Sequence, residues 1–247
     1  MSVLSRRLVL AGPILAGLAA VLSAPALAQA PTLAHPVARA AAPLKIGVVG
    51  SGRIGSLYGE IWSRAGHQVM FSDRDPATAR AAAARSPGAR SGTAQEAAAF
   101  GDVVLLSVPY AAMPDIARDL GPTLRGKVVI DTGNPNLTRD GDMARAAIER
   151  GAGLSTAAFL PGAKVVRAFN ILNFQVAARE AGRPGERLAV PVAGDDPKAV
   201  DTVMQLVRDA GLEPLRAGDL AASKKFDLTP AVQGPRTAAQ MRPLLGL

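Results

Sequence analysis

The sequence predicts an α/β protein, a doubly wound and mostly parallel sheet in a single domain. Strand patterns alternate with helix patterns along the chain, which is typical of a parallel sheet with helices on both faces. Several strands, such as Asp102–Val108, are continuous aliphatic runs, as expected of strands that are buried on both sides. The first strand–helix–strand unit contains a glycine-rich turn with a spacing that suits nucleotide phosphates.

That glycine-rich turn joins the first strand to the first helix. The strand Leu44–Val49 leads into the motif GSGRIG, and the second strand, Gln68–Ser72, ends at Asp73 and Arg74. In this fingerprint the first glycine permits a tight turn, the second admits a pyrophosphate and the third lets helix and strand pack closely. The N–H groups at the helix start can bind phosphate. We therefore predict a dinucleotide site, with a glycine turn that binds nothing as the alternative.

The remaining elements continue the alternation. Pro76 starts a helix that extends over Ala77–Ala84, and Thr93 with Glu96 forms a capping box for Ala94–Phe100. Further helices are predicted at Met113–Leu120, which Gly121-Pro122 should end, and at Gly141–Arg150 and Ser155–Leu160. A last helix is predicted at Pro197–Ala210, with Asp196 as its N-terminal cap. Further strands are predicted at Ala89–Ser91, Lys127–Asp131, Lys164–Phe169, Leu188–Ala193 and Glu213–Arg216. The segment Ser223–Leu247 has little pattern and is predicted to be a loose tail that closes over the site or contacts a second protomer.

Ligands of open α/β sheets collect where the strands end. Ser107–Tyr110 ends the fourth strand and should lie near the site, or it simply terminates that strand. Asn134, in the loop after Lys127–Asp131, could bond a ligand amide or ribose, or its own turn backbone.

Composition excludes several classes of function. The chain has no cysteine, which removes disulfides, thiolate metal sites and cysteine nucleophiles, and only two histidines, which leaves a histidine metal cluster or a Ser-His-Asp triad hard to build. The net charge is +8, but the arginines are scattered and aromatic residues make up 4% of the chain. Nucleic-acid binding is therefore not supported.

The first 28 residues are predicted to be an export signal. Arg6 and Arg7 precede an apolar run at Leu8–Leu22, and Ala26-Leu27-Ala28 is a small-residue cleavage site. The paired arginines favour a twin-arginine signal over an ordinary secretory one. Because the run is shorter than a membrane-spanning helix, we expect cleavage and no stable membrane anchor. The export signal implies a periplasmic location. Residues 29–43 are predicted to be an Ala/Pro-rich linker and residues 44–247 the domain with its tail.

The motifs together resemble a known family. The segments GVVGSGRIG, DVVLLSVPY, LRGKVVIDTGNP, LPGAKVVRAFN and the helix that begins at AGDD are similar to those of the NADPH-dependent F420 reductases, in the same order. The resemblance implies an NAD(P)-binding Rossmann fold, with hydride passing between a nicotinamide and a deazaflavin or flavin-like acceptor. It also implies a set of cofactor-binding residues: Gly50, Ser51, Gly52, Arg53, Ile54, Gly55, Asp73, Arg74, Ser107, Val108, Pro109, Tyr110, Asn134, Ala168 and Asn170.

The chain departs from this family at Asp73. Members that use NADP place a small hydroxyl residue there, whereas a carboxylate would accept from a ribose 2′-hydroxyl and repel a 2′-phosphate. Arg74 could pair with that phosphate or stack on adenine, so the two residues oppose each other. The family resemblance implies NADP, which is the prediction, with NAD as the alternative. No catalytic residue and no metal are predicted. Two other functions remain open: a non-catalytic dinucleotide-binding module and a small imine or 2-hydroxy-acid reductase. The chain could also form a homodimer, in which a second protomer holds the acceptor.

Overall fold

The computed structural model describes residues 33–40 and 42–247. The strands are β1 Lys45–Val49, β2 Gln68–Ser72, β3 Arg90–Ser91, β4 Val103–Leu106, β5 Val128–Asp131, β6 Lys164–Arg167, β7 Ala189–Gly194 and β8 Glu213–Gly218. The helices are α1 Arg53–Arg64, α2 Pro76–Arg85, α3 Ala94–Phe100, α4 Met113–Leu124, α5 Leu137–Arg150, α6 Ala152–Phe159, α7 Phe174–Glu180, α8 Pro197–Asp209 and α9 Ala238–Leu245. Short 3₁₀ helices lie at Tyr110–Ala112 and Ala221–Phe226.

All eight strands form one sheet in the order β3-β2-β1-β4-β5-β6-β7-β8. The strands from β3 to β6 are parallel, β7 is antiparallel to β6 and β8 is parallel to β7. The chain moves outward from β1 in both directions, so the order switches between β1 and β4. The predicted doubly wound, mostly parallel α/β fold is confirmed, and the carboxyl ends of β1 and β4 face a common crevice.

Apolar side chains cover both faces of the sheet. One cluster joins α1, α2, α7 and α8 to the sheet and contains Trp62, which is fully buried. The other cluster lies under α4, α5 and α6. The capping predictions are confirmed: Thr93 and Glu96 form the capping box of α3, and the Asp196 carboxylate accepts from the Ala199 N–H at the start of α8.

The predicted break at Gly121-Pro122 is wrong, because α4 continues to Leu124 with Pro122 inside it. Pro122 cannot donate to the carbonyl four residues earlier, and it lies on the exposed side of the helix. Leu120 and Leu124 are both buried against the second cluster. Packing of these two leucines outweighs the lost hydrogen bond and keeps the last turn helical.

The predicted loose tail is also wrong. The C-terminal segment, Ala221–Leu247, contains a 3₁₀ helix and α9, whose start is a capping box formed by Thr237 and Gln240. Several of its apolar side chains are buried, notably Phe226, Val232 and Met241. The pattern was missed because these residues pack on β7 and β8 rather than on one another. The sequence prediction also lacked α7, a helix of seven residues capped by Asn173.

The N-terminal predictions lie largely outside the described residues. The predicted export signal, residues 1–28, lies entirely outside the described residues. Of the predicted linker, the structure describes residues 33–40, 42 and 43. Residues 33–40 contain no helix or strand, and the Ala40 N–H donates to the Ala65 carbonyl at the end of α1. Within the described part of the chain, no helix combines the length and apolar character needed to cross a membrane.

Candidate dinucleotide site

The glycine loop has the shape that a pyrophosphate requires. Gly50 has a φ of +94°, and a Cβ there would lie 2.3 Å from the Ser107 carbonyl oxygen. A Cβ on Gly55 would lie 1.9 Å from the carbonyl oxygen of Gly50, so helix and loop are in close contact. Gly52 differs, because a Cβ there would meet nothing within 4 Å. Gly52 is the N-cap residue of α1, and no side chain accepts from the first N–H groups of the helix, which face this open space.

Ser51 and Asp73 link the glycine loop to the end of β2. The Ser51 N–H donates to the Asp73 carboxylate at 2.8 Å, and the Ser51 hydroxyl donates to the Ser72 carbonyl at 3.0 Å. The N–H of Asp75 donates to the other oxygen of Asp73 at 3.2 Å. The Ser51 side chain is therefore part of the loop structure, and the half-buried Asp73 carboxylate is held beside the loop where an adenosine ribose would lie.

Two arginines flank the opening of the loop. The Arg53 guanidinium lies 5.2 Å from the centre of the Phe174 ring, at the start of α7. Arg74 is exposed. Neither guanidinium forms a hydrogen bond or ion pair with the residues that the structure describes. Both cations remain free to contact an anionic ligand. Ile54, by contrast, packs against the first apolar cluster.

The residues after β4 divide into two groups. Ser107 and Val108 are half-buried and Pro109 is exposed, so they border the crevice beside the glycine loop. The Tyr110 side chain is buried and points away, into the second apolar cluster between α5 and α6. Burial raises the pKa of the Tyr110 hydroxyl. Only the backbone at Tyr110 remains near the crevice, so its side chain is placed differently from the rest of the predicted set.

Asn134 and Asn170 form a pair of amides at the ends of β5 and β6. The Asn134 Nδ2 donates to the Asn170 carbonyl at 2.8 Å. The Asn170 Nδ2 donates to the Phe226 carbonyl at 3.0 Å and lies 3.4 Å from Asn134 Oδ1. The Oδ1 of Asn170 is buried and has no hydrogen-bond partner among the described residues. Because buried acceptors are nearly always paired, this oxygen marks a place for a ligand donor.

The backbone beside Asn170 is strained. Phe169 has a φ of +63°, in the left-handed region that bulky residues rarely enter. Its ring is held in an aromatic group, 4.4 Å from the centre of Tyr58 and 5.6 Å from that of Trp62. Ala168, just before it, is fully buried at the end of β6. Strain of this kind costs about 1–3 kcal/mol and persists only where the surrounding packing holds it.

A buried ion cluster lies beneath the amide pair. Arg167 is fully buried; its Nε donates to Asp227 at 2.8 Å, and its Nη1 lies 3.4 Å from the Asp131 carboxylate. Burial raises the pKa of Asp131, although Arg167 opposes the shift. The sequence prediction missed Arg167 and Asp227 as site residues. An arginine inside the apolar strand KVVRAF was a visible signal, whereas nothing marked its partner Asp227.

The chemistry available at the crevice is binding and orientation. The described residues contain no group of three or more potential metal-ligating side chains. Of the two histidines, His67 lies just before β2, at the amino end of the strands, whereas the glycine loop lies at their carboxyl end. Its Nε2 lies 3.1 Å from the Asp209 carboxylate. The cradle at Gly52, the free cations and the unpaired amide oxygen together fit a dinucleotide with an amide-bearing ring.

Comparison with known proteins agrees with this geometry. Residues 45–135 match the family described as NADP oxidoreductase, coenzyme F420-dependent. The match includes the glycine loop, Asp73, Ser107 to Tyr110 and Asn134.

Two solved structures and one characterised relative extend the likeness. A hypothetical protein from Sinorhizobium meliloti, SMa0349, is 26% identical with a TM-score of 0.68, over 78% of this chain and 95% of its own. An Arthrobacter protein proposed to be an F420-dependent NADP reductase is 20% identical with a TM-score of 0.62, over 75% and 89%. The metalloreductase STEAP3 of Rattus norvegicus is 27% identical over 187 residues, 75% of this chain. The chain matches 36% of the STEAP3 length.

These matches confirm the predicted family resemblance and the Rossmann fold, and the names of the family and of the relatives support an NAD(P)-dependent oxidoreductase. The family description names NADP, which confirms the NADP prediction at the level of the family. It also implies a small-molecule acceptor. The roles of individual residues, the acceptor's identity and the choice between the two nicotinamide cofactors in this chain stay predictions.

Proposed function

We propose that the protein transfers hydride between NADPH and a small deazaflavin or flavin-like acceptor. The observation that carries the proposal is the open cradle at Gly52, at the switch point of the sheet and beside the uncapped start of α1. A pyrophosphate placed there directs its adenosine half toward Asp73 and its nicotinamide half toward Asn134 and Asn170. The phosphate, ribose and ring positions would then follow one path along the crevice.

Each part of that path has a separate task. The N–H groups at the start of α1 bind the pyrophosphate, with Arg53 beside them. The amides of Asn134 and Asn170 orient the carboxamide of the ring. NADPH, when bound, would supply the hydride, and transfer between two stacked rings depends on position and exclusion of water more than on an acid or base. The lack of a histidine at this edge among the described residues suits that chemistry.

The 2′-phosphate of NADP meets two opposing groups. Arg74 is free to pair with it, whereas the Asp73 carboxylate is held at the ribose position by Ser51 and Asp75. We infer that the site accepts both nicotinamide cofactors, with Arg74 favouring NADPH and Asp73 favouring NADH.

The acceptor is proposed from the names of the family and of the relatives, and the location from the N-terminal sequence. F420 chemistry is named for the family and for the Arthrobacter structure, whereas the name of STEAP3 points to metal reduction. A two-electron hydride reaches a one-electron metal only through a carrier such as a flavin. We propose export through a twin-arginine signal, which moves folded proteins and would let the cofactor bind first. A second copy of the chain is proposed to cover the acceptor.

Titration of the mature protein with NADPH and NADH tests the binding site. The buried Trp62 is the single tryptophan of the chain, so energy transfer from it to a reduced nicotinamide reports binding. Gly52→Asp should abolish the signal, since its carboxylate fills the cradle and repels phosphate. Gly121→Asp is the matched control, because a Cβ there also meets nothing within 4 Å.

Turnover is tested by the loss of NADPH absorbance with three acceptors: a deazaflavin, free flavin, and a ferric chelate with and without flavin. Oxidation by any ring acceptor supports the proposal. If the protein binds NADPH tightly but reduces none of them, hydride transfer is refuted and the non-catalytic module is favoured. If it binds neither nicotinamide cofactor, the dinucleotide assignment itself fails.

A further inference from the structure

Arg167 joins three separate parts of the chain at the end of β6. Its Nε donates to the Asp227 carboxylate at 2.8 Å, its Nη2 to Asn134 Oδ1 at 2.9 Å, and its Nη1 to the Asp131 carbonyl at 3.2 Å. All three nitrogens are thus engaged, and the guanidinium is fully buried. Because the planar guanidinium is held on three sides, it has a single orientation. The groups that accept its hydrogen bonds are therefore held in a single orientation too.

Asp227 anchors the C-terminal segment to this guanidinium. One carboxylate oxygen accepts from Arg167, and the other accepts from the Ala152 N–H at 2.8 Å, at the start of α6. The backbone carbonyls of Phe226 and Asp227 then face the Asn170 side chain. Gln233 Nε2 donates to the same Asp227 carbonyl at 2.6 Å and closes the turn. The ion pair therefore fixes two carbonyl groups beside the amide pair.

These contacts decide which way each amide faces. Asn170 Nδ2 is surrounded by oxygen atoms, those of Phe226, Asp227 and Asn134, so its Oδ1 must face the other way. Asn134 Oδ1 is occupied by Arg167, so its Nδ2 is the end that bonds the Asn170 backbone. The result is the buried, unpaired Oδ1 of Asn170, which can accept from a ligand N–H.

We propose that Arg167 and Asp227 are positioning residues for the nicotinamide carboxamide, and that the C-terminal segment is a component of the cofactor site. The inference rests on the proposed function, since it assumes that a nicotinamide lies at this edge. Arg167 and Asp227 do not touch the ring. They hold Asn134 and Asn170 so that the amide oxygen of Asn170 is presented to the carboxamide N–H₂ group. The strained backbone at Phe169 turns Asn170 toward this arrangement.

The test compares two ligands that differ only in the nicotinamide. Binding of NADPH and of 2′-phospho-ADP-ribose, which lacks the ring, is measured by calorimetry for the wild type and for Asp227→Asn. We expect NADPH to bind about tenfold more weakly to the variant, while 2′-phospho-ADP-ribose binds within about twofold of the wild type. Asp201→Asn is the control, because it weakens the exposed Arg216–Asp201 pair by the same chemical change.

Asn134→Ala covers the case in which Asp227→Asn does not fold. It removes the amide held by Arg167 and leaves the ion pair in place. It should likewise weaken the binding of NADPH about tenfold and leave the binding of 2′-phospho-ADP-ribose within about twofold of the wild type. In that background, adding Asp227→Asn should have little further effect on NADPH, because both changes act through one amide. Equal losses for both ligands, or no loss for NADPH, would overturn the inference. If 2′-phospho-ADP-ribose does not bind the wild type, the proposed function fails instead.

Discussion

Replacing Asp73 by serine should shift the cofactor preference toward NADPH. The carboxylate is held by two N–H groups, from Ser51 at 2.8 Å and from Asp75 at 3.2 Å, so it cannot swing away from an incoming 2′-phosphate. That phosphate carries close to two negative charges. Two unit charges about 4 Å apart repel by about 1 kcal/mol in bulk water and about 4 kcal/mol near a protein surface.

Because Asp73 is only half-buried, water and salt still screen the pair, and we take the lower end of that range, about 1.4 kcal/mol. The ratio of NADPH to NADH affinity should therefore rise about tenfold in Asp73→Ser. The ratio is the quantity to measure, by Trp62 energy transfer, since loss of the Ser51 hydrogen bond weakens both cofactors alike. Arg74→Ala should move the same ratio in the opposite direction. An unchanged ratio in Asp73→Ser would remove Asp73 from cofactor selection.

Three further changes address stability. Gly50→Ala should lower the melting temperature and abolish cofactor binding, because the new Cβ lies 2.3 Å from the Ser107 carbonyl; Gly126→Ala, also at positive φ but with nothing within 4 Å, is the control and should retain binding. Burial lowers the pKa of His67, so the imidazole binds a proton more readily in the unfolded chain than in the folded one. The free energy of unfolding should therefore fall as the pH drops below about 6.5. Urea titrations of His67→Asn should show a weaker dependence of that free energy on pH. Tyr58→Phe should leave the protein as stable or raise the free energy of unfolding by about 1 kcal/mol, since the buried hydroxyl has no partner; a clear loss in urea unfolding would show that the hydroxyl is paired.

The parts of the fold that were predicted correctly have local causes. The glycine loop, the Thr93 capping box and the Asp196 cap each depend on residues within a few positions of one another. Local geometry limits which residue types fit at such positions, so the pattern is visible in the sequence alone. The same reasoning applies to Gly50, which has the positive φ of a tight turn, and to Gly52, which borders open space.

The parts that were missed depend on distant partners. The end of α4 is decided by the packing of Leu124, and the C-terminal segment is ordered by contacts with β7 and β8. Arg167 pairs with Asp227, 60 positions away, and no local pattern announces that contact. Tyr110 belongs to a motif that predicts the crevice, yet its side chain is directed by the apolar space between α5 and α6.

The ion pair between Arg167 and Asp227 has a consequence for biosynthesis. The glycine loop and Asp73 are translated early, whereas Asp227 leaves the ribosome long after them. A growing chain can therefore form the adenosine half of the crevice while the amides that face the nicotinamide still lack their final orientation. Cofactor capture would then proceed from the phosphate end toward the ring, and the emergence of Asp227 would be the event that seats the ring.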